Sequence, residues 1–138
     1  MKILYIFFMS IPLIASDSSF NQEMQEYITQ LKIEALKIDK NFEDFDMKRG
    51  EKIFTTKHLG KRGKEISCTS CHSINLMEDG KNIFTNKEIK PLSPSVNKKR
   101  LSSVKEVKKW LRRNFKDVFV REGTPQEKGD VLYYINSK

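Results

Sequence analysis

The sequence predicts an all-α protein. Three observations carry that prediction. Apolar residues recur at three- and four-residue steps in several segments. Asp, Ser and Thr stand before those segments in helix-capping positions. No convincing alternating strand pattern and no internal repeat is present.

Residues 1–16 differ from the rest. Lys2 precedes an apolar run, Ile3 to Ala15, broken by Ser10 and Pro12 and followed by Ser16. A positive start, a short apolar stretch and small residues describe a secretory signal, cleaved near Ala15 or Ser16. The run is too short for an ordinary transmembrane helix; an uncleaved anchor is the alternative. The expected location is the periplasm. About 120 residues then remain, enough for one domain.

The first helix is expected over residues 21–42, where Met24, Tyr27, Ile28, Leu31, Ala35 and Ile38 form a stripe. It belongs to an N-terminal helical extension, residues 17–43, laid on a main domain of residues 44–138. A partner-binding role for its face is the alternative. A second helix is expected from Phe45 to Lys57, capped by Asp44 or Asp46, with Met47, Gly50, Ile53 and Phe54 on one side. Gly50 weakens a helix, so another backbone should approach closely there. Residues 60–63 form a turn, and residues 73–103, with Gly80, Pro91 and Pro94, a long functional loop. A third helix starts at Ser102 or Ser103, with Glu106 completing a capping box, and runs to about Phe115. The fourth starts at Thr124, with Pro125 in its first position, Glu127 as capping partner and Val131, Leu132 and Ile135 as its buried stripe.

The pentapeptide Cys68-Thr69-Ser70-Cys71-His72 has the C-x-x-C-H form of a c-type haem attachment site. Two thiols three residues apart can each add to one vinyl group of a porphyrin, and the next residue, His72, can reach the iron from one face. The sequence has these two cysteines and no others. A thioredoxin-like dithiol needs a βαβ setting that is not visible, and a zinc site needs two further ligands, with His58 the only other histidine. The expected cofactor is one covalent haem c with its iron.

The second face of the iron is open to three residues. A Met or His there supports electron transfer, yet no Met follows Met77, which lies close behind the motif. His58 precedes the motif and could fold over the far face or lie on the surface. Asn114 sits in the apolar stripe of Val104, Val107, Leu111 and Val118. A buried amide without partners is costly, so it caps the helix end, bonds to a backbone group or serves the site.

Lys plus Arg number 26 against 18 Asp plus Glu, a net charge of +8. A basic chain suits acidic partners, and export argues against nucleic acid. Lys105, Lys109, Arg112 and Lys116 line one face of the third helix, either a solvated face or a docking site for an acidic redox partner. Arg112 or Arg113 could instead pair with a haem propionate. Pro91 or Pro94 could orient His72 through a backbone carbonyl. Trp110 reads as core or haem packing.

Several stretches carry a family resemblance: residues 63–72, residues 89–97 (Ile-Lys-Pro-Leu-Ser-Pro-Ser-Val-Asn), residues 107–118 around Trp110-Leu111-Arg112-Arg113-Asn114, Arg121-Glu122, and residues 124–130. Over roughly residues 45–136 the chain resembles the sphaeroides haem protein family, related to cytochrome c″. The resemblance implies a class I cytochrome c fold, here with an additional N-terminal helix. It implies one haem with a proximal His, falling on His72, and a distal Asn, falling on Asn114, that leaves on reduction. Oxygen or nitric oxide would then bind as a diatomic gas ligand, and another cytochrome, such as a dihaem cytochrome c, is the implied redox partner. Relatives often carry a disulfide around the ligand Asn. Phe115 and Gly123 stand at those two places here, so looser holding of Asn114 is expected. The competing expectations are a plain electron carrier with a permanent sixth ligand, and a gas-consuming enzyme, for which no acid/base pair near the motif speaks.

Overall fold

The computed structural model describes residues 19–138, and the signal segment lies outside them. The chain runs through α1 (Gln22–Ile38), α2 (Met47–Thr55), β1 (His58–Leu59), β2 (Glu65–Ile66), α3 (Thr69–His72), β3 (Gly80–Lys81), β4 (Glu88–Ile89), α4 (Val104–Phe119) and α5 (Pro125–Asn136). β1 pairs antiparallel with β2, and β3 with β4, in two-residue ladders. Pairs that short show no alternation in sequence, which is why no strand was expected there. Among the described residues no helix is long and apolar enough to cross a membrane.

The helix starts follow capping chemistry. Asn21 Oδ1 accepts from the Met24 amide at 2.9 Å, and Asn21 Nδ2 donates to the Ser102 carbonyl at 3.0 Å, tying the start of α1 to the segment before α4. Asp46, rather than Asp44, caps α2 by accepting from the Arg49 amide at 2.7 Å. Thr124 and Glu127 form the full reciprocal box of α5. The α4 box is half formed: Ser103 Oγ accepts from the Glu106 amide, while the Glu106 carboxylate turns to Lys109 and Trp110 instead.

Helix ends differ from the expectation in three helices: α2 covers Met47–Thr55 rather than Phe45 to Lys57, since Asp46 caps it, and α1 and α4 differ at their C-terminal ends. α1 stops at Ile38 rather than residue 42, because Asp39 leaves helical geometry and its carboxylate accepts from the Asn41 amide, a local turn that competes with helix. α4 passes Phe115 and reaches Phe119, keeping Val118 buried, and ends where Val120 turns left-handed at φ 56°.

One core joins all the long helices. Met24, Tyr27, Ile28, Leu31 and Ala35 of α1 pack in the same cluster as Phe54 of α2, Leu111 and Phe115 of α4, and Val131 and Leu132 of α5. The N-terminal helix is therefore built into the core. α2 and α5 share the most extensive contact between elements. A Cβ on Gly50 would lie 2.0 Å from the Asp130 carbonyl oxygen, so the expected close backbone approach is present. The Asp130 side chain is buried beside this crossing. Its carboxylate takes two bonds from Arg49, at 2.8 and 3.0 Å, and one from the Asp46 amide at 2.7 Å. A buried carboxylate needs such partners.

Candidate functional site

The site is built around one turn of helix. α3 carries Thr69, Ser70, Cys71 and His72, and the His72 amide donates to the Cys68 carbonyl at 3.0 Å. Ser67 fixes the start of the turn: its amide donates to Ser70 Oγ at 3.0 Å, and its hydroxyl meets that of Thr69 at 2.6 Å. Ser73, at φ 67°, ends it. A single helical turn puts residues three apart on one side, so Cys68 and Cys71 line a common wall. Both are free thiols, half-buried.

Two adjoining cavities open beside this turn. One, of about 540 Å³, is lined by Cys68, Cys71, His72, Phe84 and Asn114. The other, of about 520 Å³, continues past Leu92, Leu111 and Leu132. Cys68, Lys90, Leu92, Arg100, Trp110 and Asn114 line both. Each volume lies in the usual range for small-molecule and cofactor sites, roughly 300–1,000 Å³.

His72 and Asn114 face each other here. His72 Nε2 lies 3.4 Å from the Asn114 side-chain amide nitrogen, and the two residues come from elements 42 positions apart. A half-turn of the amide exchanges Nδ2 for Oδ1 at the same place. Asn114 lies inside α4, five residues before its end, so it does not cap the helix. Its polar contact is the imidazole. Burial, assisted by the charge of Arg100, pulls the His72 pKa down to about 4. The imidazole is therefore neutral at pH 7 and keeps a lone pair for a metal. Burial also pushes the Cys68 thiol up to about 12.

Among the described residues, His72 Nδ1 is buried with no hydrogen-bond partner. The Pro91 carbonyl instead accepts from Asn97 Nδ2 at 3.0 Å and Arg100 Nε at 2.9 Å, so the expected Pro91 or Pro94 contact to the imidazole is not made. The rival sixth-position residues are elsewhere. His58 packs at a tilt against Phe119, with ring centroids 4.3 Å apart, in a separate surface hollow. Met77 is exposed and lines neither cavity. Among the described residues, no three His, Cys, Asp or Glu side chains gather as metal ligands, so a zinc reading lacks its ligand set. One neutral imidazole, two thiols on the same turn and an apolar double cavity fit a macrocycle that is held by thioether bonds and presents a metal to His72.

Sequence reasoning missed Arg100. It lines both cavities, and its guanidinium is fixed by the Pro91 and Lys90 carbonyls. Nothing in a run of Asn, Lys and Arg singles it out. The structure does separate Arg113 from Arg112: Arg113 lines the His72 cavity and lies over Trp110, while Arg112 lies in a groove beside α1. Lys105, Lys109, Arg112 and Lys116 are on the side of α4 away from Asn114. Lys109 is paired with Glu106 at 3.0 Å and Lys116 with Glu122 at 3.4 Å. Trp110 lines both cavities but is 44% exposed, so it is a wall residue rather than core. Phe115 and Gly123 are in contact: a Cβ on Gly123 would lie 2.8 Å from three atoms of the Phe115 ring.

Known proteins resemble this chain in sequence and fold. Residues 40–135 match a family described as a domain of unknown function, DUF1924. The chain is 37% identical over 86 residues to cytochrome c″ of Methylophilus methylotrophus, covering 62% of this chain and 60% of that one. It is 38% identical over 90 residues to the cytochrome c-type protein SHP of Cereibacter sphaeroides, covering 65% and 69%. Among solved structures, it is similar to oxidised cytochrome c″ from M. methylotrophus, with TM-score 0.74, 29% identity and coverage of 84% and 94%. It is also similar to oxidised SHP, an oxygen binding cytochrome c, with TM-score 0.72, 32% identity and coverage of 83% and 96%. The fold is that of these cytochromes, and the chain belongs to the DUF1924 family and, with SHP and cytochrome c″, to the sphaeroides haem protein family indicated by its sequence.

Proposed function

We propose that this chain is an exported monohaem c-type cytochrome that exchanges single electrons and binds small gases behind a releasable Asn ligand. The observation that carries the reading is the meeting of His72 Nε2 and the Asn114 amide at 3.4 Å, inside a cavity that both motif cysteines line. Cys68 and Cys71 would hold the haem covalently, His72 would be the proximal ligand and Asn114 the distal one. Bound there, the haem supplies one-electron chemistry and, when reduced, a place for oxygen or nitric oxide.

The chain's own residues set the rest. Asn114 offers an amide oxygen, a hard and weak donor that suits ferric better than ferrous iron. On reduction the side chain can turn away and later donate from Nδ2 to a ligand in the cavity. Leu92, Leu111 and Val118 line the cavity with apolar surface. Arg100 or Arg113 would pair with the propionates. An oxygen binding relative supports the gas reading. A dihaem cytochrome c is the class of redox partner proposed, with delivery to the periplasm by residues 1–16.

The test is the optical spectrum of the haem-loaded protein, ferric and then reduced, with and without carbon monoxide. The expected result is a reduced five-coordinate, high-spin spectrum that shifts with carbon monoxide, and a changed ferric spectrum in Asn114→Ala. A ferric spectrum unmoved by Asn114→Ala refutes the distal assignment. Low-spin bands in both states, insensitive to carbon monoxide, would make the protein a plain electron carrier.

A further inference from the structure

We propose that an acidic one-electron carrier docks on the cavity rim around Phe84, not on the outer basic face of α4. The inference rests on the haem reading above and names the surface through which its electrons pass.

Three cations converge on one ring. Lys61 Nζ lies 5.8 Å, the Arg62 guanidinium carbon 5.2 Å and Lys64 Nζ 5.9 Å from the centroid of Phe84. All three come from the turn between β1 and β2, and all are exposed. Phe84 lines the same cavity as Cys71 and His72, and exposed Lys87 lies on the same rim. The charges are poorly neutralised. Among the described residues, Lys61 pairs with Asp117 at 3.1 Å, while Arg62, Lys64 and Lys87 have no ion pair. Of the nearby acids, Glu65 pairs with none of them and Glu88 is taken by Lys90.

The arrangement works against local energetics. A ring face attracts each cation, but three gathered there repel one another. Arg62 is held at φ 62°, followed by Gly63 at 66°, and a left-handed Arg is an uphill conformation. An incoming cluster of carboxylates would relieve the repulsion and steer encounter.

The α4 face serves this role less well. Lys105, Lys109 and Arg112 look into a groove shared with Gln30 and Glu34 of α1. Lys109 and Lys116 already have acidic partners. Asn114, which lines the cavity, is on the opposite side of the helix, while Lys109 Nζ reaches the exposed cavity wall at Trp110, 5.1 Å from its ring centroid. A partner centred on Lys105, Arg112 and Lys116 is thus separated from the cavity by a helix about 10–12 Å thick, whereas one at Phe84 touches a residue that lines it. Electron tunnelling weakens steeply over such a difference.

The test uses the full haem-loaded chain and reduced flavodoxin, an acidic one-electron donor. The second-order reduction rate is measured by stopped flow at low and high salt, and affinity for oxidised flavodoxin by calorimetry at low salt. Arg62→Glu/Lys64→Glu/Lys87→Glu is compared with Lys105→Glu/Arg112→Glu/Lys116→Glu. The rim variant should lose at least tenfold in low-salt rate and in affinity, and its salt dependence should flatten. The α4 variant should change less than twofold. Equal losses in both, or a larger loss in the α4 variant, would overturn the proposal. Ferric and reduced spectra of the same samples report on Asn114 separately: a fixed low-spin spectrum would refute the Asn114 assignment and leave the docking comparison standing.

Discussion

Replacing Gly123 by Ala sets a methyl group 2.8 Å from Cε1, Cε2 and Cζ of Phe115. Carbon atoms prefer about 3.5–4.0 Å, so the ring must move. Phe119 blocks one side, and the other is the cavity of about 520 Å³ that the haem would fill. Phe115 is 4% exposed, and it stacks on Phe119 with centroids 5.2 Å apart. Overpacking of this kind costs about 1–3 kcal/mol, or roughly 5- to 150-fold in the folding constant. For a domain of this size each kcal/mol moves Tm by about 3–6 °C, so Gly123→Ala should melt about 3–18 °C lower. Phe115→Leu alone should also destabilise, by about 1–2 kcal/mol, through the void it leaves. Combined, the shorter side chain makes room for the methyl, and the double variant should be more stable than the sum of the singles by at least about 1 kcal/mol. Thermal unfolding followed by circular dichroism measures all three. Asn114 precedes Phe115 on α4, so the ferric spectrum should change in Gly123→Ala and recover in the double variant. A neutral Gly123→Ala, or penalties that add to within about 0.5 kcal/mol, would refute the idea that this ring-on-glycine contact braces the helix beneath Asn114.

Gly50→Ala should be more damaging than Gly123→Ala. Alanine gains about 1 kcal/mol of helix propensity, but its Cβ would lie 2.0 Å from a backbone oxygen of α5; a Tm equal to or above wild type in a thermal melt would refute the tight crossing. Glu127→Gln tests the ion pair and cap at α5. Hydrogen bonding from Arg121 holds the Glu127 pKa below the ordinary carboxylate value, so its stabilisation is complete above the unfolded value, about 4.3, and is lost as pH falls through the lowered folded one. With solvent screening, the wild-type advantage should be about 0.5–1 kcal/mol at pH 7. Paired melts should show it shrinking below about pH 4, and a gap that grows on acidification would contradict the assignment.

What could be read in the sequence was local chemistry. The spacing of Cys68, Cys71 and His72 is set by what two thiols and an imidazole on one turn can reach, and no tertiary information is needed to see it. The caps at Asp46 and Thr124 are short-range for the same reason. Asn114 was visible as an amide in an apolar stripe, but a helix ending at Phe115 would have left it as a cap. The continuation to Val118 and Phe119 removes that option. The missed features join distant residues: Arg49 reaches Asp130 across 81 positions, and a run of Asn, Lys and Arg gives no hint that Arg100 is the member held against the cavity. The basic residues show the same divide. Helical periodicity places Lys105, Lys109, Arg112 and Lys116 on one face of α4 without any structure, so that face attracts notice first. Lys61, Arg62 and Lys64 become a patch only when the β1–β2 turn is folded against Phe84. Periodicity reports which charges share a helix, not which charges share a site. Here the cations gathered on Phe84, a wall of the Cys71 and His72 cavity, come from an irregular turn that no period could mark.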